Sequence, residues 1–476
     1  MNHERIPSGI EGLDPLIEGG LPRGSLIVLA GNPGTGKTVF GVQFLCGGLS
    51  EYGEAGVYVS FAEGRETLIQ NARRHLGCDL ERFEREEKLR VLDFATLREG
   101  SLSTVLEMIL ETIQSLGAKR LMIDSFSAMA QAFGEPIDAR IVLHTILGKM
   151  VRQLGCTTIL TVEVPTGSGE RLGLGMEEFV ADGVLILRRL RFDDRDLREI
   201  EIAKLRGTGI RQSRYIFTLH EGFHVFPPFE AKEVEEPRSF QPIPDSETHF
   251  STGIASLDEV LGGGYRRGSD VLIEVGEDVP YEAYRILARP TVLNFLAHGR
   301  AVTYFLSSGI NPEAMRRDFM ANVGEDVVNR LVRFYVKKAP EITRTEPWYV
   351  EYKGMSLEDD YLLRRGIRRR LEKATGQPSL SVWGLDNFEA TYGTGTGLIM
   401  SRAIAEEALR GNLDIEISKP VVRSVQRFSD LSSYHFKLQL LDGAVVVYLA
   451  KPAAGAYCLE DDVSKGYHQA RLTPIV

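Results

Sequence analysis

Residues 31–38 read GNPGTGKT and fit the spacing G-x-x-x-x-G-K-[ST], which is typical of a loop that binds nucleotide phosphates. Its three glycines allow the backbone to curl, so that successive N–H groups can face phosphate oxygens. A glycine-rich turn without chemistry is the alternative, but the segment follows an apolar strand and opens a helix, as the motif requires. The expected nucleotide contacts are Gly31, Asn32, Pro33, Gly34, Thr35, Gly36, Lys37, Thr38 and Val39.

Two further positions predict a metal site beside this loop. Lys37 would reach the β- and γ-phosphates, and the hydroxyl of Thr38 would be a ligand of Mg²⁺. Asp124 ends the apolar strand LMID, where a carboxylate could hold the water shell of the same ion. It could instead cap the following helix, because Asp-Ser is favourable cap chemistry. With the loop present, we favour the metal role for Thr38 and Asp124.

Two glutamates follow other apolar strands. Glu63 comes after VYVSF and would lie at the carboxyl edge of the sheet, where ligands of open α/β sheets gather. A carboxylate there could orient a water molecule and accept its proton, or it could simply be solvated. Glu163, at the end of TTILTVE, is a weaker candidate that could sense the γ-phosphate or face solvent.

The segment KLRGTG (204–209) contains two cations in alternation. Lys204 and Arg206 would share one face of a strand, because alternate residues of a strand point the same way. Together they suit a clamp on a γ-phosphate, although alternating charges on an edge strand are commonly just solvated. The position alone does not say whose nucleotide they would touch.

The elements that must hold these residues are strands alternating with helices. Such alternation predicts an α/β fold with a mostly parallel central sheet flanked by helices. The segments REIEIAKL and SRYIFTLH look like an antiparallel hairpin at its edge. Predicted helices cover 38–50, 65–76, 102–116 and 138–154, and predicted strands are SLIVLAG, GVYVSF, LRVLDF, RLMIDS, TTILTVE and GVLILRRL.

The chain also repeats itself. SGIEGLDPLIEGGLPRGS (8–25) returns as TGIASLDEVLGGGYRRGS (252–269), which indicates a duplicated domain. We expect a first domain at 1–228, a linker rich in proline and acidic residues at 229–250 and a second domain at 251–476. Alignment with one inserted residue sets Glu282 opposite Lys37, Ala283 opposite Thr38, Ser308 opposite Glu63 and Asp386 opposite Asp124.

Composition narrows the class of protein. The 476 residues are 43% apolar and 26% charged, and no apolar run approaches the roughly 18 residues that a membrane-spanning helix needs. We expect a cytoplasmic protein that does not bind membranes. The net charge of −10 gives no general attraction to nucleic acid. The four cysteines, Cys46, Cys78, Cys156 and Cys458, are far apart, which argues against disulfides and against a zinc site.

Residues 5–230 resemble a domain of the KaiC family of RecA-like ATPases. The resemblance rests on the repeated SGIEGLD segment, GNPGTGKT, VSFAE, LMIDS, TTILTVE, EEFVADGVLILRRL and KLRGTG. It implies that ATP and Mg²⁺ bind between neighbouring subunits of a homo-oligomer, commonly a hexameric ring. Lys204 and Arg206 would then reach the nucleotide of the next subunit, and Arg198 would be a further phosphate contact.

Two departures from the family pattern matter for activity. The family usually has two consecutive glutamates after the VSF strand, whereas this chain has Ala62 and Glu63, so hydrolysis could be slow. The second half resembles a KaiC-type domain that has lost its chemistry, a pseudo-ATPase. No convincing Ser-Thr pair for autophosphorylation is present, so a clock function is not implied.

Two other functions stay open. One is a recombinase-like DNA-binding ATPase, with the glycine-rich loop 166–176 or the arginine-rich RRGIRRRLEK (364–373) as the contact surface. That arginine segment could equally be a solvated helix balanced by the preceding acidic residues. The other is a slow ATP-dependent scaffold that switches its binding to a protein partner.

Overall fold

The computed structural model describes residues 4–95, 102–132, 153–164, 181–338, 346–394 and 397–476. The chain forms two compact units, Met1–Pro228 with Ile475–Val476, and Phe229–Pro474. Most of the predicted helix 138–154 and all of the glycine-rich loop 166–176 lie outside the described residues. In the part of the chain that is described, no helix is long and apolar enough to span a bilayer.

The first unit is built on a nine-stranded sheet in the order β11-β10-β9-β8-β3-β7-β6-β4-β5. In this spatial order, the neighbouring strands β8, β3, β7, β6, β4 and β5 run parallel to one another. Strands β9, β10 and β11 extend the sheet in antiparallel fashion. Within the described residues, the strands of this unit are β1 (Arg5–Ile6), β2 (Leu21–Pro22), β3 (Leu26–Gly31), β4 (Gly56–Ser60), β5 (Leu89–Asp93), β6 (Arg120–Asp124), β7 (Thr157–Glu163), β8 (Gly183–Phe192), β9 (Arg195–Leu205), β10 (Arg214–Thr218) and β11 (His224–Val225).

Helices cover both faces of this sheet. Alternate residues of β3 therefore pack into two different clusters, Ile27 and Leu29 into one and Leu26 and Val28 into the other. Burial on both faces explains why the parallel strands read as continuous apolar runs. The helices are α1 (Lys37–Glu51), α2 (Arg65–Leu76), α3 (Leu80–Arg85), α4 (Leu102–Leu116) and α5 (Phe126–Ala132).

The second unit repeats this plan in a ten-stranded sheet, ordered β17-β16-β15-β18-β19-β14-β20-β21-β22-β23. Strands β17 to β20 are parallel and β20 to β23 antiparallel, so the strand order matches the first unit with β17 added at one edge. The strands are β12 (His249–Phe250), β13 (Tyr265–Arg266), β14 (Asp270–Val275), β15 (Val302–Phe305), β16 (Val332–Lys337), β17 (Tyr349–Tyr352), β18 (Leu380–Gly384), β19 (Leu413–Ser418), β20 (Tyr434–Leu441), β21 (Ala444–Lys451), β22 (Ala456–Asp462) and β23 (Gln469–Pro474).

The shared strand order confirms the prediction of a duplicated α/β fold with a mostly parallel sheet. The linker segment belongs to the second unit, since Phe240 is buried in the core of that unit. The helices of the second unit are α6 (Ala255–Val260), α7 (Tyr281–Ala297), α8 (Pro312–Val323), α9 (Glu325–Leu331), α10 (Leu357–Thr375), α11 (Leu385–Tyr392), α12 (Gly397–Ala408) and α13 (Val425–Leu431).

The repeated sequence segment is structural in both units. Asp14 accepts hydrogen bonds from the backbone N–H of Ser8, at 2.9 and 3.1 Å. Asp258 does the same for the N–H of Thr252, at 2.7 Å. Gly9, the residue after Ser8, has a φ of +70° and packs closely against α1, so that a Cβ there would lie 3.1 Å from the Cα of Gly47. Only glycine fits such a close approach without strain.

Two expectations from the sequence are wrong. Cys46 on α1 and Cys78 after α2 form a disulfide, because the two helices pack side by side and bring distant cysteines together. The inserted residue also lies later than the alignment put it. The same number of residues separates the start of β3 from the start of α1 as separates β14 from α7, so Tyr281 lies opposite Lys37 and Glu282 opposite Thr38.

Candidate nucleotide-binding site of the first unit

The GNPGTGKT loop joins β3 to α1 at the carboxyl edge of the sheet. Gly34 and Gly36 have φ of +76° and +104°, in the left-handed region that favours glycine. At Gly31 a Cβ would lie 2.8 Å from the carbonyl oxygen of Leu187, so the loop has no space for a side chain there. The backbone thus has the tight curl that a phosphate cradle requires.

Lys37 is the buried cation of this loop. Its Nζ donates hydrogen bonds to the carbonyl oxygens of Gly31 and Asn32, at 2.8 and 2.9 Å. Burial lowers the pKa of Lys37, and the carboxylates of Glu163 and Asp124 act against that shift. The Glu163 side chain is exposed at the end of β7. The lysine therefore lies between the loop backbone and two acidic groups.

Asp124 is the centre of a hydrogen-bonded group of hydroxyls. Its Oδ2 accepts from the hydroxyls of Thr38, at 2.7 Å, and Tyr58, at 2.8 Å. Its Oδ1 accepts from the hydroxyl of Thr161 at 2.6 Å. Burial, together with the charge of Asp124, raises the pKa of Tyr58 well above its usual range. Tyr58 will therefore remain a hydrogen-bond donor that holds the carboxylate in place.

The Thr38 hydroxyl and the Asp124 carboxylate fit Mg²⁺. Both are oxygen donors, which this ion prefers, and they lie next to each other beside the loop. Sequence reasoning missed Tyr58 and Thr161, which orient the carboxylate. They lie on β4 and β7, the two strands that flank β6. Their contact with Asp124 depends on that strand order, so only a correct prediction of the topology would have found it.

Glu63 lies at the same edge of the sheet, after β4. The hydroxyl of Ser60 holds its loop, because it donates to the carbonyl of Glu63 at 2.6 Å and accepts from its N–H at 3.2 Å. Burial and the negative charge of Asp124 raise the pKa of the half-buried Glu63 carboxyl, while Asn71 acts in the opposite direction. A carboxylate with a raised pKa is a better proton acceptor.

Arg198 lies against the loop of its own chain. It is paired with Arg189 across β8 and β9, and both guanidinium groups donate to the carbonyl of Gly34, at 3.2 and 2.8 Å. Burial and the neighbouring Arg189 lower the pKa of Arg198. Arg189 was not predicted from the sequence, although it stands opposite Arg198 in the sheet register. The structure brings these two cations to the phosphate loop.

Lys204 and Arg206 lie at the amino edge of the parallel strands, opposite to the carboxyl edge that holds the phosphate loop. Leu205 pairs with Gly183, which pairs with Ile27 at the beginning of β3, whereas the phosphate loop follows the end of β3. At ~3.3 Å per residue, the length of β3 sets them on the order of 13 Å or more from that loop. The Nζ of Lys204 donates to the carbonyl of Ala181 at 2.7 Å, and Arg206 forms an ion pair with Asp182 at 3.1 Å. They do not join the other predicted site residues.

The arginine-rich segment 364–373 lies on α10, and its composition is misleading. Arg364 and Arg368 are only 4% and 5% exposed. The guanidinium of Arg364 lies 4.3 Å from the ring centre of Phe305, and Arg368 forms an ion pair with Asp414 at 2.9 Å. Both expectations for the segment, a DNA-binding face or a solvated helix, are wrong for these two arginines.

Comparison with known proteins agrees with this geometry. Residues 6–228 match the family described as "ATPase: KaiC", and residues 239–341 match "GvpD basic region 2". The circadian clock oscillator protein KaiC of Thermostichus vulcanus is 35% identical over 279 residues, which is 56% of this chain and 51% of that protein. The KaiC of Synechococcus elongatus is 36% identical over 271 residues, or 55% of this chain and 50% of that one.

A solved structure, that of a KaiC-like protein from Pyrococcus horikoshii, is 37% identical and matches 47% of this chain and 99% of its own, with a TM-score of 0.43. The chain spans about half of the length of the curated relatives it matches. The phosphate-loop motif and the mostly parallel α/β sheet are those of a P-loop fold. Residues 6–228 are similar to the KaiC ATPase family, as the family match and the relatives show.

Proposed function

We propose that the first unit binds ATP with Mg²⁺ and hydrolyses it, and that turnover is confined to this unit. The observation that carries the proposal is the 2.7 Å hydrogen bond between Thr38 and Asp124, formed directly beside the loop that Lys37 closes. A glycine-rich turn without chemistry would not need a buried lysine and a carboxylate within reach of the same helix start.

Each side chain has a role that follows from its position. Lys37 and the loop N–H groups would hold the negative charge of the phosphates, and Thr38 and Asp124 would hold Mg²⁺. The ion, when bound, neutralises charge on the phosphate oxygens. Glu63 would take a proton from the attacking water. Arg198, at the carbonyl of Gly34, would contribute positive charge on the outer side of the loop.

The site would be shared between subunits of a homo-oligomer, with a hexameric ring favoured. Lys204 and Arg206 are too far from the phosphate loop of their own chain, which supports a role on a neighbour's nucleotide. Side-by-side packing would bring the strand end that carries them to the next chain. The resemblance to the KaiC family implies the same arrangement.

The second unit would be a pseudo-ATPase. Tyr281 and Glu282 stand where the first unit has Lys37 and Thr38, and the preceding segment GEDVP offers one glycine instead of three. Asp386, which the sequence alignment sets opposite Asp124, lies in the first turn of α11, two residues after the end of β18, where it accepts from the N–H of Ser308 at 2.9 Å and pairs with Lys419 at 3.4 Å. These substitutions remove the lysine and the hydroxyl that phosphate and Mg²⁺ require.

A regulatory or signalling role fits better than a fast motor, because Ala62 replaces the first of two family glutamates. In this version of the proposal, ATP would switch binding to a protein partner while turnover stays slow. Burial of Arg364 and Arg368 makes a DNA-binding role less favoured.

Phosphate release from MgATP tests the proposal. We expect slow hydrolysis by the intact chain and none by Lys37→Ala. The exposed Lys119, also in the first unit, offers a matched control, and Lys119→Ala should hydrolyse normally. Native mass spectrometry with Mg²⁺ and a slowly hydrolysed ATP analogue should then count one nucleotide per chain. Two nucleotides per chain would contradict the silent second unit, and a nucleotide-bound monomer would contradict the shared site.

A further inference from the structure

The second unit contains a cavity of about 480 Å³ at the position that corresponds to the nucleotide site of the first. It lies beside the start of α7, which follows β14 as α1 follows β3, and α8 forms another wall. Small-molecule sites typically measure ~300–1,000 Å³ and combine apolar walls with a few polar groups. The size of this cavity falls within that range.

Aromatic rings form much of its wall. Tyr281 and Tyr284 stand edge to face, with ring centres 5.3 Å apart, and Tyr304 lies 5.8 Å from Phe319. All four line the cavity. Such rings stack against planar aromatic ligands, and their faces attract cations.

One end of the cavity has an excess of positive charge. Arg289 is buried and holds both carboxylate oxygens of Asp318, through Nε at 2.5 Å and Nη2 at 3.0 Å. Arg285 reaches the same carboxylate at 3.4 Å. Two guanidinium groups therefore share one carboxylate, which leaves one positive charge uncompensated.

Glu282 supplies the opposite charge. It lines the cavity, is half-buried, and has no ion pair or hydrogen-bond partner for its carboxylate within the described ranges. Its charge would repel a triphosphate, and Tyr281 stands where the phosphate-binding lysine would be. A ligand that satisfies this cavity needs an aromatic body, a cationic group near Glu282 and an acidic group near Arg285.

We propose that this cavity binds a small aromatic molecule bearing both an ammonium and an acidic group, of the class of the aromatic amino acids. The ammonium pairs with Glu282, the acidic group with Arg285, and the ring lies among the tyrosines. The second unit thus binds a small molecule, independently of whether the first unit hydrolyses ATP.

Calorimetric titration of the full chain with L-tryptophan, tryptamine and indole-3-propionate tests the assignment. We expect tryptophan to bind most tightly. Glu282→Gln should weaken the binding of tryptophan and tryptamine about tenfold, because the charge-assisted hydrogen bond to the ammonium is lost, and leave that of indole-3-propionate unchanged. Arg285→Gln should weaken tryptophan and indole-3-propionate and leave tryptamine unchanged. Glu277→Gln, an exposed residue of the preceding loop, is the charge-matched control.

A second pair of variants separates binding from folding. Ala314 and Ala321 are both exposed on α8, but only Ala314 lines the cavity. Ala314→Trp should fill the cavity and abolish tryptophan binding, whereas Ala321→Trp should keep it. Failure of all three indole compounds to bind at millimolar concentration would overturn the proposal. So would unchanged binding by Ala314→Trp, or displacement of tryptophan by MgATP in the Lys37→Ala background.

Discussion

The hydroxyl of Thr38 donates a 2.7 Å hydrogen bond to Oδ2 of Asp124, although 86 residues separate the two in the chain. Thr38 stands in the first turn of α1 and Asp124 at the end of β6. The sheet brings them together because β6 and β3 both end at its carboxyl edge, with β7 between them. The contact joins the phosphate loop to the residue expected to hold the metal.

Replacement of Thr38 by alanine should separate metal-dependent from metal-independent nucleotide binding. Loss of the hydroxyl would remove a proposed Mg²⁺ ligand and would leave Lys37 and the loop N–H groups in place. We expect MgATP affinity to fall about tenfold, equivalent to about 1.4 kcal/mol, and affinity for ATP in EDTA to change little. Fluorescent-nucleotide titration measures both. Thr67→Ala, at an exposed position on α2, should change neither, and equal losses with and without metal would contradict the ligand role.

Glu63 should control the pH dependence of turnover. A proton acceptor works only when deprotonated, so the rate should fall as pH drops through the pKa of Glu63. That pKa is raised above its ordinary value of 4.5 by burial and by Asp124. Glu63→Gln should bind MgATP normally, hydrolyse it far more slowly and lose this acidic limb. Glu66→Gln, on the exposed side of α2, should keep the wild-type profile. An unchanged profile in Glu63→Gln would assign the limb to another group.

Much of the fold and of the candidate site could be predicted from the sequence, because the sequence patterns that indicate them are local. The phosphate loop is a contiguous motif, and alternating apolar strands and helices indicate the parallel sheet. Contacts that depend on strand order were not predictable, such as those of Tyr58 and Thr161 with Asp124. The Cys46–Cys78 disulfide likewise depends on the packing of two helices.

The arginines of α10 show a second reason for failure. Arginine is usually exposed in folded proteins. Arg364 and Arg368, however, are spaced i, i+4 and so share one face of the helix, and in this unit that face is buried. Arg368 reaches Asp414 only because α10 packs on the sheet. The spacing was a usable signal; the carboxylate partner was not visible in the sequence.

Arg368→Ala should destabilise the second unit by about 3–5 kcal/mol, because it leaves the buried Asp414 carboxylate without its ion-pair partner. Both tryptophans of the chain, Trp348 and Trp383, lie in this unit, so tryptophan fluorescence during urea unfolding reports on it. Arg370→Ala removes the same charge from an exposed position of α10 and should cost less than about 0.5 kcal/mol. Similar costs for the two variants would mean that Arg368 is not held as described.

Complementation between inactive variants tests the shared site. Under the proposed shared site, Arg206→Ala should abolish or strongly reduce turnover, because the nucleotide of the neighbouring chain would lose this cation. Lys37→Ala should be inactive because it would no longer bind nucleotide tightly. In mixed assemblies an intact phosphate loop on an Arg206→Ala chain can face an intact Arg206 on a Lys37→Ala chain. We therefore expect mixing to restore part of the ATPase activity. Arg206→Ala mixed with Lys204→Ala forms no site with both cations, so that mixture should stay near the activity of its components. If Arg206 served only its own chain, no mixture could recover activity, and an Arg206→Ala chain that is fully active alone would remove the residue from the mechanism altogether.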